Sequence, residues 1–234
     1  MITIQNNLCI IPARGNSKRI PRKNIKNFLG KPIIAYSIEA AINSGLFSEV
    51  MVSTDDEEIA QIAIRYGAKI PFFRSEEAAN DFATTMDVIN EVIYQYRMQN
   101  KFFDKVCCIY ATAPFVNVKH LKKSYELFYL NNFDSLFPVI PFSFPIQRSL
   151  KVNNNISQFI YPEHIDSRSQ DLEISYHDAG QYYWLKSNLA YNGKSIMTNN
   201  TGAYIINEME GQDIDNEIDW KIAELKYELI QSIK

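Results

Sequence analysis

Short apolar runs at 8–11, 49–54, 68–73, 106–111 and 135–142 alternate with segments whose apolar residues recur at helical spacing. The intervening helices are expected from Pro32 to Gly45 and over 57–66, 86–98 and 117–130. Their stripes are Ile34, Ile38, Ala41 and Ile42; Ile59, Ile62, Ala63 and Tyr66; Val88, Val92 and Tyr96; and Leu121, Tyr125 and Phe128. Runs too short for helices, alternating with segments too periodic for loops, predict an α/β fold with a parallel sheet wrapped by helices. Punctuation agrees. Pro32 suits a first helical turn, Gly45 and Gly67 suit helix ends, and Thr84 or Thr85 suits an N-cap. His120 is expected on a solvated face beside Lys119, Lys122 and Lys123. A last amphipathic helix is expected to bury Ile218, Ile222, Leu225 and Leu229.

The alternation breaks after the fifth run. Residues 143–176 are polar and irregular, with Asn153, Asn154 and Asn155 in succession, yet Phe142, Phe144, Phe159 and Tyr161 argue against disorder. This stretch reads as an arm inserted in a single domain spanning 1–234. At 234 residues and 46% hydrophobic content the chain can bury one substantial core. Cys9, Cys107 and Cys108 lie inside apolar runs at no framework or metal spacing, which points to reduced, buried thiols. No signal peptide and no membrane-length run is evident, so the expected setting is the cytoplasm.

Charge is distributed unevenly. The net value of −3 argues against a general nucleic-acid binder. Residues 1–38 nevertheless hold seven Lys or Arg and no acid, whereas 195–220 hold six acids and no Lys or Arg. Most of the early cations, Arg14, Lys18, Arg19, Arg22 and Lys23, fall in the loop after the first run. A solvated loop is one reading. A polyanion cradle is the other, with Gly15 allowing close backbone approach beyond the carboxyl end of a strand. Neither GxxxxGK[ST] nor GxGxxG is present. At the acidic end, Asp213-Ile214-Asp215 would place both carboxylates on one side of an extended segment, where they repel unless a cation intervenes. The plain alternative is one helix cap and one surface charge, with Asp219 exposed. Asp55 and Asp56 read as capping residues, and Arg74 as a surface partner of Glu76 or Glu77.

The run IPARGNSK at 11–18, followed by Lys23-Asn24, resembles the signature of the CMP-sialic acid synthetase family, the cytidylyltransferases that activate nine-carbon acidic sugars. The resemblance implies a three-layer, Rossmann-like nucleotidyltransferase with a mostly parallel central sheet and a small dimerisation arm. By the same resemblance Arg14, Lys18 and Lys23 act on the phosphates of CTP. Ala13, Arg14, Gly15, Ser17, Asn24, Arg74, Ala83 and Thr85 would hold the nucleotide, and Asp213 and Asp215 would bind Mg2+. Two departures stand out. Asn16 replaces a frequent glycine, and Tyr110-Ala111-Thr112-Ala113-Pro114 replaces a Gln-Pro-Thr-Ser-Pro run.

RSQDLE at 168–173 and HDAGQ at 177–181 are similar to the branch that takes pseudaminic acid. They nominate Arg168, Gln181 and Tyr183 for the sugar, with His177 and Asp178 as alternative proton acceptors. A homodimer, with the arm closing the partner's sugar pocket, is also implied. The readings left open are a sister enzyme acting on sialic acid, legionaminic acid or Kdo, and a nucleotide-binding protein without chemistry.

Overall fold

A computed structural model describes residues 6–193 and 195–233. The N-terminal half runs β1 (Asn7–Pro12), β2 (Asn27–Phe28), β3 (Lys31–Pro32), α1 (Ile33–Ser44), β4 (Glu49–Ser53), α2 (Glu57–Arg65), α3 (Glu76–Ala79), α4 (Thr85–Met98) and β5 (Lys105–Ile109). It continues through α5 (Val118–Leu130), β6 (Ser135–Pro141), β7 (Leu150–Asn153), β8 (Ile156–Phe159), β9 (Tyr176–Asp178), β10 (Tyr182–Lys186), α6 (Ser187–Asn192), β11 (Thr201–Ile205) and α7 (Glu217–Ile233). The main sheet has the order β11-β6-β10-β5-β1-β4, with β9 beside β6. β1 pairs in parallel with β4 and β5, and β11 with β6, while β10 and β9 run antiparallel to their neighbours. The expected α/β class with a mostly parallel sheet is what forms.

Continuous apolar runs make such strands because both sheet faces are covered. Cys9, Ile11, Val50, Val52, Cys107 and Ile109 face α1, α2 and α5. Leu8, Ile10, Met51, Val106 and Cys108 face α4, through Met86, Ile89, Val92 and Tyr96. Three layers result. Side-chain caps fix where the helices begin: Asp56 accepts from Ile59 N–H, Asn117 from His120 N–H, and Thr84 and Asp87 form a capping box. Cys9, Cys107 and Cys108 are free and buried, and burial pushes their thiols up, that of Cys108 to about 12.

A third cluster decides the site. Ile20 and Phe28 from the basic stretch pack with Ile33, Tyr36 and Phe115 against Ile214, Trp220 and Ala223 from the acidic end. Phe28 meets Trp220 at 5.5 Å and Tyr227 at 5.7 Å, edge to face. Such pairs add about 0.5–1.5 kcal/mol each beyond burial. The two oppositely charged ends of the chain are thus joined by an aromatic core.

Several expectations fail locally. No strand forms over 68–73; Lys69 alone bridges Met51 in parallel, and Pro71, which has no N–H, cannot extend the ladder. Ile42 is exposed, as are Ile218, Ile222, Leu225 and Leu229. α7 carries two apolar stripes, and the one bearing Trp220, Ala223, Tyr227 and Ile230 packs inward because it meets the rings of Phe28 and Tyr36. His120 is buried rather than solvated, its Nε2 lying 3.1 Å from Glu210 and its ring against Tyr204. Asp219 is only partly exposed because its Oδ2 accepts the N–H groups of Asp215 and Asn216.

In the 143–176 stretch, β7 and β8 form a separate two-stranded hairpin. Asn154 and Asn155 turn it with φ of 47° and 62°, the conformation that a tight hairpin of this hand requires and that asparagine tolerates. The asparagine run is therefore turn chemistry. At the far sheet edge, a Cβ on Gly202 would lie 2.3 Å from the Phe133 ring. Gly202→Ala is expected to lower stability by about 1–3 kcal/mol through overpacking. Thermal melting checks this, and an unchanged melt would show that the ring swings aside without cost.

Candidate active site

The carboxyl ends of β1, β4 and β5 open on a cavity of about 660 Å3, lined by the basic loop and by the segment preceding α4. The loop is folded by its own polar groups. Ala13 N–H donates to Ser53 O at 2.9 Å, Gly15 N–H to Asp55 Oδ1 at 2.9 Å, and Asn24 Nδ2 to Arg14 O at 2.9 Å. A side chain at position 15 would meet Asp56 Oδ2 at 2.7 Å, so only glycine fits. Ala13 and Gly15 therefore shape the cradle with N–H groups already bonded to the protein. Ser17, Lys18, Lys23 and Asn24 line the cavity together with Arg14.

The cations separate by role. Arg22, at φ 55°, grips Asp56 through bonds of 2.5 and 2.9 Å and also reaches Glu58. That grip holds the Asp56 carboxyl down to about 2. Arg22 is thus a structural clamp. Asp81 bridges Arg14 at 3.0 Å and Lys18 at 2.5 Å. A single carboxylate between two cations outlines the position an anionic phosphate oxygen would take.

Arg74 is no surface residue. It is buried, its Nε donating to Ser53 Oγ at 2.9 Å and its Nη2 to Ser53 O at 2.5 Å, and burial draws its pKa down. It lines the cavity with Ala83, Thr85 and Tyr110. Thr85 Oγ1 lies 2.8 Å from Tyr110 OH, so the tyrosine in place of the expected glutamine sits within the site. Sequence reasoning gave Tyr110 no role in the site, although its position at the end of a buried strand was the signal that could have found it.

The acidic end arrives from the other side. Ile214 is fully buried, so the alternation turns Asp213 and Asp215 outward together. Burial, then the neighbouring Asp215, raises the pKa of Asp213. Lys23 Nζ donates to Ile214 O at 2.6 Å and stands 3.9 Å from Asp215, while Arg19 pairs with Asp215 at 2.7 Å. Lys26 adds a tie to Glu217 at 2.7 Å. Arg19 is a second residue that sequence reasoning left outside the site.

Among the described residues no group of three or more His, Cys, Asp or Glu is placed to hold a metal. Two adjacent oxygen ligands nonetheless suit Mg2+, which commonly takes one or two carboxylates and completes its shell with water and phosphate. The guanidinium of Arg19 on Asp215 shows that this carboxylate accepts a cation.

The nominated sugar residues are not brought together. Gln181 is buried, donating through Nε2 to Glu210 O at 2.6 Å. Tyr183 is buried, donates to Asp178 Oδ2 at 2.7 Å and packs on the Tyr110 ring at 5.4 Å. Arg168 lies apart on the inserted stretch, exposed and paired with Asp171 at 2.7 Å. Of the two alternative proton acceptors, Asp178 also accepts Gly180 N–H at 2.7 Å, and His177 rests on Phe142 at 4.9 Å.

Residues 8–141 match the family model described as cytidylyltransferase. The chain is 46% identical to the pseudaminic acid cytidylyltransferase of Campylobacter jejuni over 95% of its own length and 97% of that protein. It is 33% identical to the CMP-N,N'-diacetyllegionaminic acid synthase of Legionella pneumophila, over 96% and 97% of the two chains. Its fold matches that of a CMP:2-keto-3-deoxy-manno-octonic acid synthetase solved with CTP, at a TM-score of 0.69, 17% identity, and coverage of 97% and 99%.

Proposed function

This chain belongs to the cytidylyltransferase family, and from that premise we propose that it joins CTP to a nonulosonic acid, pseudaminic acid in the first place, giving the CMP-sugar and pyrophosphate. The observation that carries the reading is the 2.6 Å bond from Lys23 Nζ to Ile214 O, made across 191 residues between two carboxylates. It ties the cationic loop, which lines the cavity, to the segment that carries the acidic pair.

The anomeric hydroxyl of the sugar loses its proton to water, and its oxygen forms a new bond to the α-phosphorus. The α–β bridging bond breaks, and its electrons leave with pyrophosphate. Arg14, Lys18 and Lys23 neutralise the charge that grows on the departing group, with Arg14 and Lys18 moving from Asp81 to phosphate oxygen. Arg74, held on Ser53, and the Thr85–Tyr110 pair fix the nucleoside so that the reacting atoms are aligned. Asp213 and Asp215 would hold Mg2+, whose chemistry there is to polarise the α-phosphate. No covalent nucleophile is required.

The inserted stretch supports a homodimer in which it reaches the partner. Leu150, Val152, Ile156, Ile160 and Ile174 are exposed along it, an apolar surface suited to burial against a second copy. Free, buried cysteines support a reducing cytoplasmic setting, and among the described residues no helix is long and apolar enough to cross a membrane.

Pyrophosphate release from CTP and Mg2+ across a panel of pseudaminic, legionaminic and sialic acids and Kdo tests the reading. The highest kcat/KM is expected with pseudaminic acid. Preference for another member would reassign the sugar, and silence with every member would remove the activity.

A further inference from the structure

Asp213 reaches the site on a turn that has no strand to hold it. Between the end of β11 and the start of α7, residues 207–212 are fixed largely by side chains. Asn207 and Glu210 close a capping box, and Gln181 Nε2 donates to Glu210 O at 2.6 Å. Lys226 Nζ donates to Glu208 O at 3.1 Å and to Gly211 O at 3.0 Å. A Cβ on Gly211 would lie 2.6 Å from Ile140 Cδ1, so the turn is pressed onto the sheet. A further tie comes from α5. His120, in the first turn after the cap Asn117, is buried, and its Nε2 lies 3.1 Å from Glu210 Oε1.

The two partners differ in exposure. The imidazole is deep, the carboxylate is partly exposed, and both line a cavity of about 440 Å3. Around the imidazole stand Glu210, Lys119 and Lys123 of its own helix, and Tyr204 from β11, edge to face at 5.7 Å. Tyr182 OH from β10 donates to His120 O at 3.3 Å, and Tyr227 from α7 lines the same cavity. Burial draws the imidazole pKa down, Glu210 opposes that pull, and the two lysines add to it. At neutral pH the ring is therefore uncharged. Its Nε2–H donates to the carboxylate, which can only accept.

We propose that His120 is a positioning residue for this enzyme: by holding Glu210 it sets the 207–212 turn, and with it the place where Asp213 stands beside Asp215. The inference rests on the reading of the acidic pair as the Mg2+ site and adds what keeps that pair in register. It also makes the pair sensitive to acid. The closed turn lowers the affinity of the imidazole for a proton, so a proton binds better once the turn opens. The hold is present in full above about pH 6.5, the ordinary histidine value, and is lost as pH falls toward the lowered one.

His120→Gln and His120→Leu separate this role from packing. Glutamine keeps an N–H donor and does not titrate; leucine fills the buried site, donates nothing and leaves Glu210 to water. Residues behind a metal ligand typically change its affinity by 10-fold or more, so at about pH 7.5 Mn2+ binding should weaken about 10-fold in His120→Leu and stay within about 3-fold in His120→Gln. Hydrogen exchange of amides 207–213 should speed up in the leucine variant alone. At about pH 5.5 the parent should exchange these amides about 3- to 10-fold faster than His120→Gln at the same pH. A histidine that only packs would lower the melting temperature of both variants while exchange and metal binding stay as in the parent, which overturns the proposal. Parent and glutamine variant losing protection together in acid also overturns it, and this comparison decides the matter if the leucine variant fails to fold. If the parent binds no Mn2+, the reading of the acidic pair falls, and the exchange of 207–213 still decides whether His120 holds the turn.

Discussion

Lys23→Ala is expected to reduce kcat by about 100- to 1,000-fold, the usual consequence of deleting one preorganised donor to a transition-state oxyanion. The residue is placed for that effect. Its ammonium is partly buried, burial pulls its pKa down, and Asp215 and Asp213 oppose that pull, so its charge is tied to the acidic pair. The same side chain donates to Ile214 O at 2.6 Å, and losing that bond costs about 0.5–1.5 kcal/mol of stability. For a chain of this size, that is a fall in Tm of about 1–6 °C. Activity and melting should therefore separate widely. Turnover within a few-fold of the parent, at any melting temperature, would remove Lys23 from the phosphate cradle.

Asp215→Asn keeps the shape of the side chain and discards its charge. Arg19, at 2.7 Å, and Lys23, at 3.9 Å, lose their anionic partner, and Asp213 becomes the one charged ligand of the pair. Metal polarisation of a phosphoryl group contributes several kcal/mol, so turnover should fall by about 100-fold or more. The Mg2+ concentration giving half-maximal rate should rise with it. Titrating Mn2+ against the protein and following its paramagnetic signal gives a second readout that needs no turnover. If the parent and variant saturate with metal at the same concentration, the acidic pair is not a metal site.

How far the sequence exposes this site depends on what each residue competes with. The Asp213-Ile214-Asp215 alternation is legible because one fully buried isoleucine leaves the flanking carboxylates a single direction. The basic loop is legible as a charge and not as a division of labour. Nothing local distinguishes Arg22, clamped on Asp56, from Arg14 and Lys18, because that choice depends on how α2 presents its N-cap carboxylate. α7 shows the same limit from the apolar side. Its Ile218–Ile222–Leu225–Leu229 stripe has helical spacing, yet the stripe with Trp220 wins because Phe28 and Tyr36, far away in the chain, supply rings to meet it. His120 lies among lysines in sequence and beside Glu210 in space.

The antiparallel β10 has a consequence for how the molecule is made. It sits between β5 and β6, and those two strands do not pair with each other. A nascent chain that has cleared the ribosome only through β6 has an open slot where Tyr182–Lys186 belongs, with the unbonded edges of two buried strands on either side. Such edges invite pairing with other chains, and closure across a long sequence separation is slow. The protein should therefore depend on synthesis continuing past residue 186 without pause, and chaperone occupancy should peak on ribosomes stalled between β6 and β10.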